Sequence, residues 1–219
     1  MKTHLARDLA ELESQLSDLG DLVLQSVQCA IDAISSFDLE KVAQIAQNEK
    51  LINTMEISIE QNCLKIIALH QPVATDLRFL IVVLKVNNDL ERIADQAVNI
   101  GARIHFLYDR PRIPVDLQFE WMGPSSLGMV AKALDALLTK DTLAARAVLE
   151  MDSEIDDFHA LTYRDLIKAM TENPSITTEA VSYLTISSNV ERIADLATNI
   201  AEEIIFMNDG EILRHMPMD

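Results

Sequence analysis

The chain has 219 residues, 49% of them hydrophobic and 24% charged, which suits one large globular domain or two small ones. It has only 5 glycines, 6 prolines and 5% aromatic residues, a composition that favours long helices over sheets. The net charge of −17 repels the phosphates of nucleic acids and anionic lipids. We therefore expect no binding to nucleic acids or to anionic membrane surfaces, and we expect cations, metals and basic protein surfaces to be favoured.

Three long helices are predicted in the first half of the chain. Apolar residues recur at spacings of three and four over residues 5–34, which predicts one apolar face of a first helix. Asp38 then has the side chain of an N-cap. A second helix is predicted over about residues 39–70, where Pro72 ends it, and a third over about residues 74–108.

The second half repeats this order of helices. The clearest break in the chain is the segment 109–116, which contains two prolines. A fourth helix is predicted to begin at residue 118 or 125 and to end at residue 139. A fifth is predicted over about residues 142–172, after a cap at Asp141, and a sixth over about residues 175–207. Short links between such long helices predict antiparallel packing, as in a bundle.

An internal duplication relates the two halves. Residues 90–100 read LERIADQAVNI and residues 190–200 read VERIADLATNI, with eight of the eleven positions identical at an offset of 100. The sequence therefore predicts an all-α fold of two tandem, similar three-helix bundles with six long helices. We place the first bundle at residues 1–110 and the second at residues 111–219.

Each half carries two columns of oxygen-bearing side chains. On the last helix of each half three such residues are spaced by four, so that they share one helix face. A second column stands on the preceding helix, and antiparallel packing would let the two columns face each other. Oxygen ligands with one imidazole suit Mg, Mn, Fe or Zn. The candidate metal ligands are Glu49, Asn53, Glu56, Glu91, Asp95 and Asn99 in the first half and Asp152, Asp156, His159, Glu191, Asp195 and Asn199 in the second.

Other interpretations of these columns stay open. An acidic stripe on a helix is usually a solvated face, and duplication would also preserve a packing motif, so a helical scaffold without metal is one alternative. A ferritin-like carboxylate di-metal oxidase is another, although only Asp156 and His159 approach its Glu-x-x-His pairs. The chain has no glycine-rich phosphate loop and no nucleophile motif, so we predict no enzymatic activity. The net charge also argues against phosphate itself as a direct ligand.

The cysteines and the apolar runs predict where the protein resides. Cys29 and Cys63 stand among apolar residues in helical pattern, which favours buried, reduced thiols. The first residues lack the apolar stretch of a signal peptide. The most apolar run, residues 79–84, is far shorter than the roughly 20 residues that span a bilayer. We therefore predict a cytoplasmic protein without membrane insertion.

The doubled E-R-I-A-D-x-x-x-N-I, preceded by D/E-x-x-I-D/N-x-x-E/H, resembles the PhoU family of phosphate-uptake regulators. The leucine-striped first helix and the segment HQPVATDLRFL extend the resemblance over nearly the whole chain. It implies iron, zinc or manganese bound by the twelve residues named above. Because Asn53 and His159 depart from an all-carboxylate arrangement, equal occupancy of the two sites does not follow.

The resemblance also implies a role. It implies a cytoplasmic, non-catalytic negative regulator of the phosphate-starvation response that links the phosphate ABC transporter to a sensor histidine kinase. It further implies a homodimer. A metal-binding adaptor for another phosphate permease would carry the same sequence features, so this alternative stays open.

Overall fold

The computed structural model describes residues 2–210, and helices account for nearly all of them. Within that range there is no strand, and a short 3₁₀-helix, Pro174–Ile176, precedes the last helix. The prediction of an all-α fold is confirmed. The six α-helices are α1 (Lys2–Ser36), α2 (Leu39–His70), α3 (Ala74–Leu107), α4 (Phe119–Thr139), α5 (Thr142–Glu172) and α6 (Thr177–Asp209).

Local signals fix several helix ends. The Asp38 carboxylate accepts a hydrogen bond from the Glu40 amide at 2.8 Å and so caps α2 as predicted. Asp141 caps α5 by accepting from the amides of Leu143 and Ala144 at 2.9 and 3.1 Å. Gly210 ends α6 in the left-handed conformation, at φ 76°, which glycine adopts without steric cost.

Two helix starts differ from simple expectation. α4 begins at Phe119 and runs through Pro124, so the later of the two predicted starts is wrong. Pro124 lies in the second turn, where it removes one backbone donor, and the surrounding helix continues. α6 begins at Thr177, two residues after the predicted start, because residues 174–176 form the 3₁₀-turn.

The six helices form two bundles that share a core. α1, α2 and α3 pack together, and so do α4, α5 and α6, which confirms the predicted pair of three-helix bundles. Between the bundles α1 packs on α4 and α3 packs on α6. In residues 2–210, α2 and α5 contact only helices of their own bundle, so they flank a central ring of four helices.

α3 and α6 run antiparallel along the junction between the bundles. Arg78 of α3 donates to the Met207 carbonyl oxygen, and Lys85 forms an ion pair with Glu203 at 2.8 Å. This register places Ala94 opposite Ala194, and both are buried to 2% exposure or less. The two duplicated motifs therefore meet at the centre of the junction, where small side chains let the helices approach closely.

The two cysteines, predicted to be buried and reduced, differ in burial. Cys63 is buried, and burial raises the pKa of its thiol to about 12, whereas Cys29 is half-buried. Both are free thiols. No helix within residues 2–210 combines the length and the apolar character needed to cross a bilayer.

Candidate functional site

The acidic columns of the first half lie on helices that pack against each other, α2 and α3. The pKa of the Glu91 carboxyl is raised, and burial is the main cause. The charges of Asp95, Glu56 and Glu49 raise it further, and the Arg92 guanidinium lowers it in part. Carboxylates of both helices therefore lie near enough to one another to repel, as the predicted facing columns require.

The second half repeats this arrangement on α5 and α6. Burial raises the pKa of Asp152 from 3.8 to about 6, and the charges of Asp156 and Asp195 add to the effect. The pKa of Glu191 is raised by burial and then by Asp195, Asp156 and Asp152, with partial relief from Arg192. Four carboxylates from two helices thus share one face, which we call the second carboxylate face. The first carboxylate face consists of Glu49, Glu56, Glu91 and Asp95.

The four other candidate ligands contribute no carboxylate to these faces. Asn53 is exposed, Asn199 is half-buried, and neither forms a hydrogen bond with a carboxylate in the part of the chain that the structure describes. Asn99 lines a cleft between α3 and α6. Each step of four residues turns the helix by about 40°, so Asn99 lies about 80° around α3 from Glu91. His159 binds Ser187 of α6, with Nδ1 and Oγ 2.8 Å apart.

Two polar residues of the inner helices, Asn87 and Ser187, complete the faces. In the first half the Asn87 amide donates to the Glu56 carboxylate at 3.3 Å and to the Glu56 carbonyl oxygen at 3.0 Å. In the second half Ser187 takes the place of Asn87, and His159 takes the place of Glu56. Neither residue is among the candidates predicted from the sequence. Each lies four residues before the Glu of its E-R-I-A-D motif, so extending the column by one turn would have found them.

The carboxylates share faces without forming a coordination shell. Among residues 2–210, no three His, Cys, Asp or Glu side chains are grouped so that they could hold a metal ion. Like charges repel in a partly buried setting, which keeps these side chains spread over the face. The faces can concentrate cations electrostatically, and inner-sphere binding would require the side chains to turn toward one point.

Each face nevertheless contains an oxygen that lacks a partner. Oδ1 of Asp152 in the second half and Oδ1 of Asn87 in the first are buried, and neither accepts a hydrogen bond in the part of the chain described. An unsatisfied buried polar atom costs about 1–3 kcal/mol. Carboxylate and amide oxygens are the donors that hard and borderline cations prefer. By donor chemistry the faces therefore fit a cation, and the second face fits it better because its unpartnered oxygen belongs to a carboxylate.

Comparison with known proteins gives one consistent family. The PhoU domain matches the chain twice, at residues 16–104 and 119–204. A Burkholderia protein described as a phosphate-specific transport system accessory protein PhoU homolog is 34% identical over 213 residues, covering 95% of this chain and 90% of that protein. A Streptococcus pneumoniae protein of the same description is 30% identical, covering 97% and 99% of the two chains.

Solved structures agree with the sequence comparisons. The crystal structure of PhoU from Pseudomonas aeruginosa superposes with a TM-score of 0.92 at 31% identity and covers 94% of this chain and 99% of its own. The phosphate transport system regulatory protein PhoU from Streptococcus pneumoniae superposes with a TM-score of 0.88, also at 31% identity. It covers 95% of this chain and 98% of its own. The likeness therefore extends over both bundles.

Proposed function

This chain belongs to the PhoU family, and from that membership we propose that it is a non-catalytic regulator of phosphate uptake and of phosphate-starvation signalling. The observation that carries the proposal is the double match to the PhoU domain, which takes in both bundles. It is supported by relatives of nearly equal length whose names associate them with phosphate-specific transport. The protein acts as an accessory to a phosphate transport system.

The partners we propose are the phosphate ABC transporter and a sensor histidine kinase. When phosphate is plentiful, the protein contacts both in the cytoplasm, as a homodimer, and keeps the phosphate regulon repressed. An acidic surface suits this role, because charge complementarity with basic patches speeds association and selects partners. The net charge of −17 supplies that surface.

The metal role we propose rests on the two carboxylate faces. An iron, zinc, manganese or magnesium ion would be held by Asp152, Asp156, Glu191 and Asp195 in the second half, and by Glu49, Glu56, Glu91 and Asp95 in the first. A bound cation supplies positive charge to a face where carboxylates repel one another. The protein's own residues hold α5 against α6 and α2 against α3, through the hydrogen bonds His159–Ser187 and Asn87–Glu56. In this way the metal would fix the shape of the surface that meets the partners.

Two alternatives remain compatible with the family. A metal-free scaffold is favoured by one observation, which is that no three candidate ligands are grouped for coordination in residues 2–210. An adaptor for a different phosphate permease would use the same fold and the same faces. Both alternatives keep the protein in phosphate transport, whereas a ferritin-like oxidase would not, and family membership speaks against it.

Cross-linking and co-purification test the proposed role. The tagged full-length chain is expressed in its own host under high phosphate, cross-linked, purified and analysed by mass spectrometry. We expect subunits of a phosphate transporter and a sensor kinase to be enriched over a tag-only control. Recovery of a different phosphate permease, without the ABC transporter or the kinase, would favour the adaptor alternative. If neither is enriched, the proposed partners are refuted.

A further inference from the structure

A cleft between the two bundles carries positive charge in an otherwise acidic protein. It lies along the junction of α3 and α6 as an open groove of about 420 Å³. Arg103 and Asn99 of α3 line one wall, and Arg192 and Ser188 of α6 line the other. Val181 and Leu184 add an apolar wall. The cleft therefore combines two guanidinium groups with further polar donors and a small apolar surface.

The donors of the cleft are available to a ligand. Arg103 and Arg192 are exposed, and in residues 2–210 neither has a carboxylate within 4.0 Å. Glu191 and Asp195 lie on the face toward α5, where the Arg192 charge offsets part of the rise in their pKa values. Arg192 forms no ion pair with either of them within that range. The Asn99 amide and the Ser188 hydroxyl form no hydrogen bond in the same part of the chain. By contrast, the other two polar residues of the cleft, Thr185 and Asn189, already donate to carbonyl oxygens of α6.

The duplication provides an internal comparison for this cleft. Because α3 and α6 are antiparallel and related by an offset of 100 residues, their junction has two equivalent ends. At the other end Glu203 stands where the cleft has Arg103, and it pairs with Lys85 at 2.8 Å. The equivalent of Lys85 in the cleft is the uncharged Thr185. The end opposite the cleft, which we call the balanced end, therefore pairs an acid with a base at this position, whereas the cleft has an arginine and no acid.

The same holds one turn further along the junction. At the balanced end Arg92 pairs with Asp89 at 3.2 Å. In the cleft the equivalent arginine is Arg192, and the residue equivalent to Asp89 is Asn189, so the acid is replaced by an amide. Both acids of the balanced end are therefore absent from the cleft. Divergence of the two halves has left two arginines facing solvent at one end only.

We propose that this cleft binds the phosphate group of a small molecule. The planar guanidinium of arginine matches phosphate oxygens with two parallel hydrogen bonds, and Asn99 and Ser188 can donate additional ones. The volume of about 420 Å³ exceeds what inorganic phosphate fills, so a nucleotide also fits, with its uncharged part against Val181 and Leu184. Inorganic phosphate and a nucleotide share the chemistry that the arginines recognise. This binding activity goes beyond the regulatory role proposed above.

The net charge of the protein does not oppose this assignment. Exposed charges farther than roughly 8–10 Å from the cleft are largely screened at physiological ionic strength. The nearest charges, foremost the two arginines that line the cleft, therefore set the field that an anion meets there. The expectation that phosphate is not a direct ligand came from the net charge of −17, which averages over the whole surface. The cleft is a local exception to that average.

Titration calorimetry on the full chain tests the proposal with three probes: inorganic phosphate, adenosine monophosphate and adenosine. The variant is R103Q/R192Q, and the control is R92Q/R164Q, which removes the same charge outside the cleft. We expect phosphate, the nucleotide or both to bind, adenosine not to bind, and R103Q/R192Q to weaken binding at least about 10-fold while the control stays within about 2-fold. Circular dichroism establishes that both variants are folded.

The three probes separate the sources of the phosphate group. Binding of both phosphate-bearing probes identifies the phosphate group as sufficient, and binding of the nucleotide alone identifies a nucleotide site. The proposal is overturned if neither probe binds, if adenosine binds as well as its monophosphate, or if the control loses as much affinity as R103Q/R192Q. A charge-retaining variant, R103K/R192K, is expected to bind more weakly than wild type, because lysine cannot form the two parallel hydrogen bonds.

Discussion

Nδ1 of His159 lies 2.8 Å from Oγ of Ser187, in the place where Glu56 and Asn87 meet in the other half of the molecule. The duplicated unit has thus kept a polar contact between its outer and inner helix and has changed the chemistry at both ends. His159 removes one carboxylate from the second half at this position, and Asp156, which stands where the first half has Asn53, adds one. The two halves are therefore related in geometry and differ in where their carboxylates stand.

Metal content should depend on the paired carboxylates of the E-R-I-A-D motifs. The variants E91A/D95A and E191A/D195A each remove two of the four carboxylates from one face. We expect each to lower the metal bound per chain after purification without chelators, measured by inductively coupled plasma mass spectrometry. The second variant should have the larger effect, because its face has the unpartnered Asp152 oxygen.

The control for metal content is E154A/D157A, which removes two exposed acids of α5. It should leave the metal content unchanged. If both motif variants retain as much metal as wild type, the faces do not bind it. A wild-type protein that purifies without metal would support the metal-free scaffold.

Stability should depend on pH through Asp152. Its pKa is raised from 3.8 to about 6 in the folded protein, so between these values the folded state holds a proton that the unfolded chain releases. The contribution of this group to stability is therefore greatest at low pH and falls as the pH rises through that window. With allowance for solvent screening, D152N should be more stable than wild type by about 1 kcal/mol near pH 7 and equal to it near pH 4.

Denaturant unfolding at several pH values, with a chelator present, measures the Asp152 effect. The variant E154Q, an exposed acid on the same helix, serves as the control and should show no such crossover. A D152N variant that is less stable than wild type at neutral pH would contradict the assigned repulsion.

The ion pair between the bundles should stabilise the fold. Glu203 is 2% exposed and receives two hydrogen bonds from Lys85, at 2.8 and 3.1 Å. Removing one partner of a buried pair costs several kcal/mol, and because Lys85 is partly exposed we expect K85M to lower the free energy of unfolding by about 2 kcal/mol. Chemical denaturation measures it.

The matched control for K85M is K41M. Lys41 pairs with Asp32 at the same distance, 2.8 Å, with both side chains more than a third exposed. A surface pair of this kind contributes at most about 1 kcal/mol. Equal losses in the two variants would show that burial at the junction adds nothing.

Two glycines of α4 should respond in opposite directions to the same substitution. A Cβ on Gly123 would lie 2.8 Å from Cγ2 of Ile31, so G123A should destabilise the protein by about 1–2 kcal/mol through overpacking of α4 against α1. A Cβ on Gly128 would meet nothing within 4 Å, and G128A should stabilise it by about 0.5–1 kcal/mol, because alanine favours the helix. Thermal unfolding of the two variants checks the signs, and a neutral G123A would contradict the close packing of the helices.

The helices were largely predictable because their signals are local and long. α2 has the predicted bounds, since an aspartate cap and a terminating proline mark its two ends. The start of α4 was ambiguous because Pro124, which usually begins or breaks a helix, lies inside this one. Packing against Ile31 and the core outweighs the lost hydrogen bond, and no local pattern reveals that.

The candidate site was predictable only as far as helix geometry reaches. A spacing of four correctly placed Glu91 with Asp95, but the drift of about 40° per step carries Asn99 toward the cleft. How closely the side chains approach depends on the separation of the helices and on rotamers, which the spacing does not contain. The cleft was missed because its arginines are distant in sequence and become neighbours only when α3 packs on α6.

The proposed regulatory role is tested most directly by the activity of a phosphate-starvation reporter in cells that lack this protein and grow with abundant phosphate. We predict that the reporter is on in these cells and that re-expression of the wild-type chain turns it off. A reporter that stays off in the absence of the protein would contradict the role as a negative regulator of phosphate signalling.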